Sequence, residues 1–249
     1  MAAAELAIEP PHASKRSSPL RLFFLGMALF SAAILMLVFV PEFAEFAAGK
    51  FPIAWVLHIH AGIMFSWWGA FAVQAYLGAS GRTKIHRRVG VFAIAIGWLA
   101  WASMVFVEFR GLAVHPPPEL VADYDWNLPG PFVYITFGAF LAWAVHERLR
   151  PQWHKRLMTF ALFLSIEAAI QRFKWIPREY GFGGIAFALD AFLLLPIAAY
   201  DWRTLKGRLH PATVGGALLL FGSEAVLFAL WGSAFWRSFA AAVTHRLHG

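Results

Sequence analysis

Eight side chains in this sequence combine acid–base or ligand chemistry with apolar surroundings. His58, His60, Glu167, Asp190 and Glu224 lie inside long apolar runs, and His86, His154 and His210 lie where such runs begin. An ionisable group within hydrocarbon costs roughly 2.5–3.5 kcal/mol on insertion scales, so it points to function by default. Carboxylates and imidazoles with shifted pKa values form proton relays. One His with two or three carboxylates can also hold a divalent cation.

Helical spacing groups these residues. With a rise of about 1.5 Å per residue, His60, Glu167, Asp190 and Glu224 fall in one layer about 10–18 Å below the outer membrane surface. At about 100° per residue, His60 and Gln74 share one helix face, with Met64, Trp67 and Phe71 between them. His58 points the other way, beside Gly62, Ser66 and Gly69, where small residues favour close helix packing. Glu167, Gln171 and Lys174 form a polar stripe with Arg172 offset, and Asp190 and Asp201 share a face across Pro196, a kink site. The leading expectation is an intramembrane polar site of His60, Gln74, Glu167, Gln171, Arg172, Asp190 and Glu224. It would bind or pass a proton, cation or small solute, in a transporter-like or sensor-like protein. The competing reading is a structural network of buried ion pairs that fixes helix register.

The other three histidines mark a repeat. Arg82-Thr-Lys-Ile-His86-Arg87-Arg88-Val89 and Arg150-Pro-Gln-Trp-His154-Lys155-Arg156-Leu157 align, each followed by a Phe-Ala pair (Phe92-Ala93, Phe160-Ala161). A weaker third copy is Lys206-Gly-Arg-Leu-His210. One reading has Arg82, Arg87, Arg88, Arg150, Lys155 and Arg156 anchoring lipid phosphates, with long basic side chains snorkelling to the interface. The alternative has His86, His154 and His210 converging as ligands of a metal or b-type haem, with neighbouring cations pairing haem propionates.

The elements that must position these groups follow from composition. The chain has 249 residues, 60% hydrophobic, 17% aromatic and 14% charged, where a soluble domain carries about a quarter charged residues. One soluble core cannot absorb that apolar excess, so much of the surface faces lipid, and a soluble enzyme domain, a disordered chain and a collagen-like fibre are excluded. A span needs about 20 apolar residues, and seven stretches qualify, at roughly 20–40, 53–79, 89–109, 130–147, 157–176, 182–202 and 212–236. The first follows a polar segment and is too long for a signal-peptide core, so it is read as a retained span. The expected fold is all-α: a seven-helix transmembrane bundle over 20–236, with a tail at 1–19 and a short tail at 237–249. The repeat divides it into one N-terminal helix and three related hairpins.

Charge sets orientation. With the N-terminus inside, inner segments hold fourteen of the twenty-one Lys and Arg, and outer segments hold seven, balanced by seven acids. That bias predicts N-in, C-out in a bacterial inner membrane. The net charge of +7 is then a topology signal and not a nucleic-acid footprint. The loop at 110–129, with three consecutive prolines after His115, reads as a connector or a lid over an outer cavity.

The chain resembles the DUF2306-like family of bacterial integral-membrane proteins of unknown function. The similarity covers the second to fifth spans and rests on His60, Gln74, Arg82, His86-Arg87, Gly90, the Trp-His-Lys-Arg-Leu-Met run at 153–158 and Arg172. It implies no established activity, and it singles out His60, Gln74, His86 and His154.

Other chemistries find little support. Without cysteine there is no iron–sulfur cluster, covalent haem or thiolate metal site. A metal-dependent membrane hydrolase is the third reading, weakened because His58 and His60 face opposite sides and no His-x-x-x-His helix pair occurs. Gly181-Phe-Gly-Gly184 reads as a turn before a helix, not a phosphate-cradling loop. Ligand identity and oligomeric state are not encoded in any motif.

Overall fold

The computed structural model describes residues 19–50, 54–114, 128–170 and 182–248. These form eight α-helices: α1 (Pro19–Ala47), α2 (Trp55–Ala79), α3 (Thr83–Val114), α4 (Pro129–His146), α5 (Pro151–Ile170), α6 (Phe182–Thr204), α7 (Pro211–Leu230) and α8 (Ala234–His248). Four of them, α1, α2, α3 and α7, are long and apolar enough to cross a bilayer. The chain is a helical integral membrane protein.

The first seven helices fall where the apolar stretches predict, with two informative differences. Helices α3 and α5 begin at Thr83 and Pro151, several residues before their apolar runs. Hydropathy reports where a helix meets lipid, whereas the backbone becomes helical through the preceding basic turn, and Pro151 suits a first helical position. His86 and His154 therefore sit within the first turns of regular helices. At the other extreme, α7 stops at Leu230 and not at 236. Gly232 adopts φ +73 in the turn that follows, a conformation glycine takes without the Cβ penalty. The segment expected as a tail is a separate helix, α8.

Helix α5 is the hub, packing against α1, α2, α4, α6 and α7. Leu157, Phe160, Ala161, Leu162, Phe163 and Ile166 are all at most 1% exposed, so the helix is apolar on every side because it is buried on every side. It forms a hairpin with α4, and the α2–α3 hairpin packs alongside. The hairpins pack closely through small residues: a Cβ on Gly97 would meet Trp67 Cζ3 at 2.8 Å and Leu141 Cδ2 at 3.2 Å. Trp67 and Trp68 both donate their indole N–H to Ser165 Oγ, at 3.3 and 2.9 Å, tying α2 to α5. The outward faces carry the apolar excess, with Phe92 71% and Leu218 70% exposed. In water this surface would be an aggregation liability, and in a bilayer it is solvated by acyl chains.

The starts of α1, α3, α5 and α7 lie at one end of the bundle. Lys155 sits over the Phe24 ring, the His86 and His154 rings meet edge to face, and Asp201 meets Thr213. This is called the basic end below.

A candidate two-histidine site at the basic end

The hairpin geometry brings His86 and His154 together. Their ring centroids are 6.4 Å apart with planes at 86°. Each imidazole is held from behind by its own hairpin. His154 Nδ1 lies 2.8 Å from the Ala144 carbonyl near the end of α4, and His86 Nδ1 lies 3.2 Å from the Gln74 carbonyl near the end of α2. A ring that donates Nδ1–H to a carbonyl keeps a lone pair on Nε2, the posture of a metal-ligating histidine oriented by a backbone partner. The repeat seen in the sequence is thus a repeated contact, imidazole to preceding-helix carbonyl.

The two histidines differ in one respect. The Gln74 amide is oriented with Nε2 toward His86 and Oε1 toward Gly90, the arrangement in which every polar atom has a complementary partner. Nε2 then donates to the His86 carbonyl at 3.1 Å and reaches His86 Nδ1 at 2.7 Å, while Oε1 accepts from the Gly90 N–H at 3.1 Å. His86 Nδ1 therefore has an acceptor and a donor at hand, so both neutral tautomers are accommodated. His154 Nδ1 faces a carbonyl.

The third copy of the repeat does something else. His210 does not join the pair: its Nδ1 accepts from the Ala212 N–H at 3.0 Å and caps α7, and its ring packs edge-on against Trp153 at 5.5 Å. Burial, together with the nearby Arg156 charge, pushes the His210 imidazole down to about 4. Because the unfolded chain binds this proton at higher pH than the folded one, stability rises with pH between about 4 and the ordinary value of 6.5. Thermal unfolding in detergent should show a lower midpoint at pH 5 than at pH 7. Changing His210→Asn, which caps without titrating, should shrink that difference.

Beside the pair lies a buried ion pair. Arg156 is 1% exposed and Asp201 0%. Arg156 Nε donates to Asp201 Oδ1 at 2.9 Å, its Nη2 also bonds Oδ1, and its Nη1 donates to the Gln152 carbonyl at 2.7 Å. Asp201 Oδ2 accepts from the Thr213 hydroxyl at 2.5 Å and the His210 N–H at 2.9 Å. This corrects the lipid-anchoring expectation for Arg156, whose guanidinium is enclosed by α5, α6 and α7. Lys155 is also engaged within the protein, its Nζ donating to Tyr200 Oη at 2.9 Å and lying over the Phe24 and Tyr200 rings. Arg82, Arg87, Arg88 and Arg150 are exposed at the same end. Arg82 stacks on Tyr76, and Arg150 pairs with Glu147 at 3.5 Å.

The polar layer expected deeper in the bundle is distributed differently. His60 Nδ1 is 3.1 Å from Ser103 Oγ on α3. Glu167 is buried on α5 and lies within electrostatic reach of Glu224 on α7. Gln74 belongs to His86 and not to His60. Gln171, Arg172 and Lys174 lie outside the described residues, as does most of the 110–129 loop, and Asp190 lies in α6 with its side chain outside the description. Among the described residues no three His, Cys, Asp or Glu side chains converge as a metal site.

Sequence reasoning missed the Arg156–Asp201–Thr213 network. A signal existed: Asp201 and Arg156 are opposite charges on consecutive helices at one end, which periodicity alone does not pair. No protein-family model, curated protein or solved structure matches this chain.

Proposed function

We propose that this chain is a membrane redox protein that holds b-type haem between His86 and His154. The observation that carries the reading is the close pair of imidazoles, 6.4 Å between centroids with planes at 86°, each backed by a main-chain carbonyl. A haem held here would take His86 and His154 as its protein ligands, and their close approach suits that group. Structural and catalytic zinc sites draw three or four ligands from the protein. Haem iron needs two, because the porphyrin supplies the rest.

The residues present fit the group. Arg82, Arg87, Arg88 and Arg150 are exposed at the basic end, where propionates would find guanidinium partners. Bound haem would supply one-electron transfer. The chain's own residues orient the two rings, fix the His154 tautomer through Ala144, and keep the Arg156 charge neutralised by Asp201.

The topology that accompanies this reading has α1 to α7 as seven spans, N-in and C-out, in a bacterial inner membrane. It rests on the charge bias of the sequence and on the shared basic end. Kinship with the DUF2306-like proteins rests on the sequence motifs. The test is an absorbance spectrum and haem quantitation on protein purified from haem-sufficient cells. About one haem per chain with a six-coordinate, low-spin Soret spectrum is expected, and a colourless preparation overturns the reading.

A second reading is a proton- or cation-handling site in the deeper layer, supported by the burial of the Glu167 carboxyl within electrostatic reach of Glu224. Changing Glu167→Gln should then abolish proton-coupled or cation-coupled uptake into proteoliposomes while expression and folding stay intact. Equal uptake in the variant overturns it.

A further inference from the structure

Helix α8 has three faces. Trp236, Ala240 and Thr244, spaced by four residues, are buried, and Trp236 and Ala240 cluster with Leu128 and Leu227. Leu128 precedes α4 and Leu227 lies in the last turn of α7, so α8 crosses the end of the bundle opposite the basic end. It packs chiefly on α3 and does not run back along α7 as a hairpin partner. Beside the buried stripe, at about 100° per residue, lies a second apolar stripe of Phe235, Phe239 and Ala242. Phe235 is 70% and Phe239 53% exposed. Exposed Arg246 continues this second stripe at its C-terminal end, where a long side chain can reach the headgroups, and the remaining arc holds Arg237, Ser238 and His245.

We propose that α8 lies in the headgroup layer of the bilayer, with Phe235 and Phe239 inserted at the acyl boundary and Ser238 and His245 facing water. Three observations commit the exposed stripe to lipid. Helix α7, a candidate span, ends at Leu230, and α8 begins four residues later across the Gly232 turn. The helix therefore starts where hydrocarbon gives way to headgroups. Its 15 residues reach only about 22 Å, too short to cross a core of about 30 Å. It carries Arg237, His245 and Arg246 and no acid, complementary to phospholipid phosphates. Continuity of the lipid-facing and protein-facing stripes is the pattern of a helix wedged between a bundle and its bilayer.

The absence of cysteine makes the test direct. Single variants Phe235→Cys, Ser238→Cys, Phe239→Cys and His245→Cys, spin-labelled and reconstituted in phosphatidylcholine–phosphatidylglycerol nanodiscs, report collision with oxygen and with a water-soluble nickel chelate. The ratio of oxygen to nickel collisions should be several-fold higher at 235 and 239 than at 238 and 245. Equal ratios at all four positions would place the helix in water and overturn the proposal. Shielding of 235 and 239 from both reagents would mean that protein covers the stripe, a second copy of this chain being the simplest source, and would overturn it as well. All four sites are exposed, and retained monodispersity and unfolding midpoint would confirm that labelling leaves the fold intact.

Discussion

If the chain holds haem as proposed, changing His154→Ala is expected to remove its spectrum, with affinity falling by about 100-fold or more. Loss of an outer-shell partner alone costs about 10–100-fold at metal sites, and loss of a ligand costs more. His86→Ala should convert the spectrum from six-coordinate to five-coordinate and permit carbon monoxide to bind after reduction with dithionite. The asymmetry follows from geometry. His154 Nδ1 meets a carbonyl at 2.8 Å, which fixes the ligating tautomer, whereas His86 Nδ1 also meets the Gln74 amide at 2.7 Å. When that amide donates to Nδ1, the ring proton moves to Nε2 and the ring cannot ligate. His58→Ala is the control, because that ring is exposed and packs at a tilt against Phe46 at 5.0 Å, away from the pair. Unchanged haem content and spectrum in His154→Ala would remove His154 from the site. The pair would then be a structural latch, worth only about 1 kcal/mol per hydrogen bond.

The second large effect is on stability. Asp201→Ala leaves the Arg156 guanidinium buried without a counter-charge, and breaking a buried pair in this way costs about 3–5 kcal/mol. It also strips the acceptor from Thr213 and from the His210 N–H. The pairing joins α5, α6 and α7, so the loss should appear as a lowered midpoint in denaturant or thermal unfolding in detergent. The double change Arg156→Met with Asp201→Leu should recover most of that loss, since an apolar replacement of a buried pair is often neutral or stabilising. A loss under about 1 kcal/mol in Asp201→Ala would instead mean that water solvates the pair, as at exposed ion pairs.

Both effects depend on contacts that periodicity reads only in part. His86 and His154 are legible as a repeat, because a basic helix start followed by the same Phe-Ala pair is a local pattern. The depth comparison also placed His60, Glu167 and Glu224 in one layer, but depth has no azimuth. The fold turned Gln74, expected beside His60, toward His86, and it gave His60 to Ser103. The anchoring expectation treated every basic residue at a helix start alike. Arg88 and Arg156 occupy the same register after their histidines, yet Arg88 is exposed and Arg156 is buried. The difference lies in the host helix, since α3 flanks the bundle and α5 is its centre.

Composition and span length determined the membrane setting, the all-α class and the approximate places of seven helices, because burial in lipid demands long apolar runs whatever the packing. Charge bias supplied an orientation by the same local logic. The tertiary structure decided which of the repeated histidines meet, that His210 caps a helix instead, that Arg156 belongs to Asp201, and that the last residues form a helix across the bundle's end. These outcomes depend on which helix faces which neighbour. Helices in lipid associate through shape and a few polar contacts spread over distant segments, information that no single stretch of sequence contains.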